Sequence, residues 1–305
     1  MNITNLPNLN ESVLAGLNFF IKNKPQKLDL KKYVFPIVVG SGNAYNTGKI
    51  IFSGQAAVFA NESTFKNILK AYSPLIKNKT IKQAVIISAS GGKDAAWEIK
   101  LAKKNKLKTT LLTCNAESAG AKLADEVILF RKIAEPQTYN ISTYLGMILA
   151  VSDEKAEIIK KFIGTFKLPK NFKKYQAFSF ILPDEFSEIT GMLDIKKHEL
   201  FGPHVSIRSF SYGEARHAKF VNPTKDEMVI SLGENKYFGD AKHRLEINMP
   251  KGARAGLVMA LTYYIIGKIQ GAKKPYFKKN ITKYCQDGPK AYGKTVNFDV
   301  IVPGN

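Results

Sequence analysis

The segment Val85-Ile86-Ile87-Ser88-Ala89-Ser90-Gly91-Gly92-Lys93-Asp94 constrains this chain most: an apolar run of strand length that stops at two serines and two glycines. Ala95-Ala96-Trp97-Glu98-Ile99-Lys100 follows, so the stretch reads as strand, tight turn and helix start. Such a corner points free backbone N–H groups outward. With the positive end of the helix dipole and two hydroxyls, it favours an anion, and in a metabolic protein that anion is a phosphate.

The same rhythm recurs through the first half. Strands are predicted over 35–39, 49–52, 84–87, 109–112 and 126–130, with helical segments between them, and the first strand runs into a second Ser/Gly corner, Gly40-Ser41-Gly42-Asn43-Ala44. Strands alternating with helices imply a parallel sheet covered on both faces, with ligands beyond the carboxyl ends of the strands. Residues 142–161 read as one long helix and 168–174 as a linker. A second round then follows: strand 177–182, helix 186–199, strand 228–232 and helix 254–270. The expected architecture is α/β, two flavodoxin-like parallel-sheet domains in tandem, each a three-layer αβα sandwich. Their expected bounds are 1–165, with an N-terminal helical segment and the phosphate loops, and 166–305, with a tail that closes the site.

At 305 residues and 45% hydrophobic content the chain can build such cores without staples. Two cysteines, Cys114 and Cys285, imply no disulfide framework and fit a reducing compartment. The first residues lack a basic and an apolar signal region, and the longest apolar run, 255–266, is shorter than the ~20 residues of a membrane span. A soluble, cytoplasmic protein with no membrane partner is expected. The net charge of +21 raises nucleic acid as a partner, but nearly all of it is lysine, spread along helical segments, with arginine at only five positions. That texture argues for a solvated surface and against nucleic acid as the main partner, while still steering a small anion inward.

Several segments, in order, resemble those of the sugar isomerase (SIS) domain family, and most closely the double-SIS members that include the isomerase half of glucosamine-fructose-6-phosphate aminotransferase. These are residues 40–48, the Ser-x-Ser-Gly of 88–91, Glu135-Pro136-Gln137-Thr138-Tyr139, the helix 191–199 ending in Glu199, Gly213-Glu214-Ala215-Arg216-His217, and the tail 287–296. The resemblance implies a hexose 6-phosphate or amino-hexose 6-phosphate as substrate. Ser41, Gly42, Asn43, Ser88, Ala89, Ser90, Lys93 and Glu135 would bind it, with no metal and no other cofactor. It further implies Glu199 as the base that moves a proton between C1 and C2 through an enediol, His217 for ring opening, and Lys294 for an imine or for ring opening. Glu214, His198, His204 and Lys283 are the alternatives if the alignment slips. A homodimer that lends His217 across the interface is expected. The chain departs from the family pattern at Ala44, Ala89 and Gly92-Lys93, and it carries no glutaminase part. Isomerisation, aminosugar-phosphate deamination and deglycation of an amine-linked sugar phosphate stay open, as does a non-catalytic phosphosugar-binding protein.

Overall fold

The computed structural model describes residues 5–92, 94–218, 224–293 and 297–304. It contains two compact units: Lys22–Ile133 with Ser142–Asp153, and Met1–Ile21 with Ala134–Ile141 and Glu154–Asn305. Each holds one parallel sheet.

The helix α1 (Leu9–Lys22) comes first. The sheet of the Lys22–Ile133 unit then follows from β1 (Ile37–Gly40), α2 (Asn43–Ile51), β2 (Val58–Ala60), α3 (Phe65–Ala71), α4 (Ser73–Lys77), β3 (Gln83–Ile87), α5 (Ala95–Lys104), β4 (Lys108–Thr113) and β5 (Glu126–Leu129), with α6 (Ile141–Leu149) after them. Its order is β2-β1-β3-β4-β5, every pair parallel. Ile37, Val39, Ala84, Ile86 and Leu111 pack against Phe65, Leu69, Ile99 and Ala102 in one core on the face that carries α3 and α5. Continuous burial along β1 and β3 is what a strand covered on both faces requires.

The second unit holds α7 (Ala156–Thr165), β6 (Ala177–Leu182), α8 (Glu188–Phe201), β7 (Ser206–Ser211), α9 (Tyr212–His217), β8 (Glu227–Leu232), β9 (Arg244–Ile247), α10 (Ala255–Ala272) and α11 (Tyr276–Asp287). Its sheet runs β7-β6-β8-β9, again wholly parallel. α10 is buried nearly throughout, and at Gly267 its backbone meets α1 so closely that a Cβ would lie 1.9 Å from the Asn10 nitrogen. No helix among the described residues is long and apolar enough to cross a membrane.

Two expectations fail. Residues 49–52 are not a strand but the end of α2, whose buried positions Ala44, Thr47, Gly48 and Ile51 recur at helical spacing; the short apolar run Ile50-Ile51-Phe52 has no period of its own. The long helix over 142–161 is broken between Leu149 and Ala156. The break serves α10: the Glu154 carboxylate accepts hydrogen bonds from the Arg254, Gly256 and Leu257 N–H groups, which open that helix.

Candidate functional site

In the first sheet, β1 leads outward to β2 while β3 leads the other way to β4, so the topological switch point lies between β1 and β3. The register pairs Gly40 with Ile87, which makes Ser41 and Ser88 neighbours on adjacent strands, with backbones about 4.8 Å apart, at the carboxyl edge of that point. Both corners rest on glycine. Gly42, with φ 56°, starts α2, and Gly91 has φ 59°, with no room for a Cβ, which would lie 2.1 Å from the Ser118 hydroxyl.

The Ser88–Gly92 corner is braced by the loop after β4. Ala89 accepts from the Cys114 N–H, Gly91 accepts from the Gly120 N–H, and Ser88 N–H donates to Leu112. α5 begins at Ala95, whose N–H donates to the Gly92 carbonyl, and among the described residues no side chain caps it. The Ser90 hydroxyl accepts from the Gly92 N–H at 3.3 Å, so it shapes the turn. Thr47, by contrast, is fully buried and its hydroxyl donates to the Asn43 carbonyl, which takes it out of ligand binding. Asn43 is buried at the start of α2. Lys93 lies outside the described residues.

The second unit gathers a different set. Glu199 sits on α8, and three residues earlier Lys196 is completely buried, its Nζ donating to Glu199 Oε2 at 2.6 Å and to the Thr138 carbonyl. The Tyr263 ring of α10 lies 5.8 Å from the same ammonium. A buried lysine survives only with such partners. Thr138 and Asn140 both hold left-handed backbone, with φ of 74° and 50°, so the turn that presents the Thr138 carbonyl is strained. Between them Tyr139 is anchored through hydrogen bonds with Gln270 and the Pro7 carbonyl. Glu135, buried, opens this turn. On α11, burial pushes the Tyr284 phenol well above its ordinary range, and the Glu199 charge adds to the effect.

The remaining candidates separate. His217 is exposed on the last turn of α9, and its side chain has no hydrogen bond or ion pair among the described residues. α9 is fixed at its start by the Asp184 carboxylate, which accepts from the Gly213 N–H at 2.7 Å, a bond that lowers the Asp184 pKa. Glu214 closes the reciprocal cap of α9 with Ser211, so its carboxylate is committed to the helix start. His204 packs edge-on against Tyr276 and His198 is exposed. Lys283 is exposed and paired with Asp287 at 3.2 Å, not desolvated. Lys294 lies outside the described residues.

Lys196, the Thr138 carbonyl and Tyr284 are the groups that sequence reasoning missed. Lys196 carries one signal, its position three residues before Glu199 on a helix, which favours an ion pair.

No family model matches the sequence, and neither does any curated protein. Solved structures match the fold. The chain superposes on a glucosamine-6-phosphate deaminase from Thermotoga maritima with a TM-score of 0.56 at 16% identity, covering 88% of this chain and 95% of that one. The C-terminal domain of glucosamine-fructose-6-phosphate aminotransferase from Francisella tularensis gives 0.56 at 14%, over 87% and 95%. A tagatose-6-phosphate ketose/aldose isomerase from Escherichia coli gives 0.54 at 11%, over 86% of each chain. At such identities the likeness establishes the fold alone: the chain is an α/β protein of two parallel sheets, folded like these three proteins.

Proposed function

We propose that this protein is a phosphosugar isomerase or an aminosugar-phosphate deaminase, built as two sugar isomerase domains in tandem, acting on a hexose 6-phosphate or amino-hexose 6-phosphate. The observation that carries the reading is the pairing of Glu199 with the buried Lys196 ammonium. Moving a proton between C1 and C2 needs a carboxylate held in place to take and return it. Glu199, partly exposed, is the candidate, and the fully buried Lys196 ammonium positions it. The Ser41 and Ser88 corners, with the amides that start α5, are the proposed phosphate cradle, to which Asn43, Ser90 and Lys93 would add donors, and Glu135 is a separate candidate for binding the sugar. Lys294 would form an imine with the open ketose or assist ring opening, and His217 would open the ring.

The test is a proton NMR time course in D2O with glucosamine 6-phosphate, fructose 6-phosphate and glucose 6-phosphate, with ammonia assayed in parallel. Deuterium entering C1 or C2 is the expected result, and ammonia release identifies deamination. No exchange with any sugar, together with thermal stabilisation by one, would replace the enzyme with a phosphosugar-binding regulator.

A further inference from the structure

Folding gathers lysines that the sequence spreads out. In a parallel sheet the helix-to-strand connections lie at the amino edge, opposite the edge that carries the Ser41 and Ser88 corners. The connection into β3 is Lys77-Asn78-Lys79-Thr80-Ile81-Lys82, and that into β4 is Lys104-Asn105-Lys106-Leu107-Lys108, two copies of a Lys-Asn-Lys pattern. β3 and β4 are neighbours, and the Lys108 N–H donates to the Lys82 carbonyl at 2.9 Å, so the loops lie side by side. All six lysines are exposed, while Ile81 and Leu107 turn into the core. Nearby carboxylates are occupied: Glu126 by Lys32, and Asp125 by Lys103 at 2.7 Å. Among the described residues none of the six forms an ion pair, and only Lys108 lies near enough to a carboxylate, Glu126, to help lower its pKa.

A second observation concerns the backbone. Lys79 and Lys106 have φ of 63° and 60°, each just past a helix end, where glycine is the unstrained residue. Two lysines at matching strained positions place cations where stability alone favours glycine.

We propose that this amino edge binds the phosphodiester backbone of a nucleic acid without reading its sequence. The loops contain no arginine and no aromatic residue, so neither base-edge contacts nor base stacking are built in. Asn78, Thr80 and Gln83 stand among the lysines, and such side chains donate to phosphate and sugar oxygens. No apolar side chain of these loops is exposed to enter a bilayer, which favours a nucleic acid over an anionic membrane. This surface lies at the opposite edge of the sheet from the proposed phosphate cradle and does not depend on that reading.

The experiment is fluorescence anisotropy of the full chain with labelled single-stranded RNA of about 20 nucleotides across a salt series. Binding that weakens with salt is expected. The variant Lys77→Gln/Lys79→Gln/Lys106→Gln/Lys108→Gln should bind at least ~30-fold more weakly at low salt and lower the salt slope by roughly 3. A control that removes four exposed lysines of the other unit, Lys155, Lys161, Lys251 and Lys279 to Gln, should stay within about 3-fold of wild type. Lys79→Gly/Lys106→Gly relieves both strained positions, so it should melt no lower than wild type yet bind more weakly. Absent RNA binding, equal loss in both lysine variants, unchanged affinity in the glycine variant, or binding to phosphatidylserine vesicles in preference to RNA would each overturn the proposal.

Discussion

Glu98 is the residue whose environment departs most from what its chemistry prefers. It is a carboxylate on α5 with 1% exposure, and among the described residues its Oε1 has no hydrogen-bond partner. Burial first, then the charges of Asp94 and Glu62, push its pKa up to about 8 from an ordinary 4.5. In the fold it therefore holds its proton at neutral pH, whereas in the unfolded chain it is ionised. The native state binds the extra proton between those two values, so this group's contribution to stability falls as pH rises from about 4.5 to about 8 and is flat above, by up to ~1.4 kcal/mol per pH unit. Glu98→Gln should consequently be more stable than wild type at pH 8, with the gap closing toward pH 5, as read by urea midpoints at the two pH values; a pH-independent gap would contradict this. At Lys196, replacement by Met should lower deuterium exchange at least ~100-fold and destabilise the fold by about 1–3 kcal/mol, since the Thr138 carbonyl and Glu199 both lose their partner. Glu199 could be named as a candidate from its segment. Lys196 could not, because nothing local distinguishes it from the neighbouring Lys197, and only packing under Tyr263 buries one of the pair.

At the scale of elements, the corners and the helix contacts are set by close approach. Gly91→Ala should cost about 2–4 kcal/mol and weaken sugar-phosphate binding, because the Cβ meets Ser118 and φ is left-handed. Gly267→Ala should also destabilise, although alanine in a helix interior ordinarily gains about 1 kcal/mol over glycine; the Asn10 backbone leaves it no space. Thermal melts of the two variants check both. Strands with continuous apolar runs, such as β3 and β6, were readable directly. β7 (Ser-Ile-Arg-Ser-Phe-Ser) and β9 (Arg-Leu-Glu-Ile) were not, because they are partly exposed and carry polar residues, so their apolar signal is only two residues long. The turns at the corners were legible because small residues permit them; the Ser88, Gly91 and Gly92 N–H groups there are taken by Leu112, Ser88 and the Ser90 hydroxyl. The strained 138–140 turn was not, because Thr138 and Asn140 adopt left-handed backbone that their types do not announce.

At the scale of the whole molecule, each unit holds its own parallel sheet: the Ser41 and Ser88 corners belong to one, and the helix α8 that carries Glu199 and Lys196 belongs to the other. If two subunits share each site through His217, two inactive variants should complement each other. Mixing Glu199→Gln with His217→Asn after subunit exchange should restore about a quarter of wild-type activity, since one site in each mixed dimer is intact. No recovery would confine each site to one chain. The edge cluster of lysines is not visible along the sequence, because the topology of a parallel sheet brings distant connections to one edge. The central claim is that Glu199 is the proton-transferring base in a site that binds phosphosugars. Its most direct test compares wild type with Glu199→Gln in D2O using the sugar that stabilises the protein most. Retained thermal stabilisation with deuterium exchange reduced at least ~1000-fold is the expected result. Equal exchange in both proteins would contradict it.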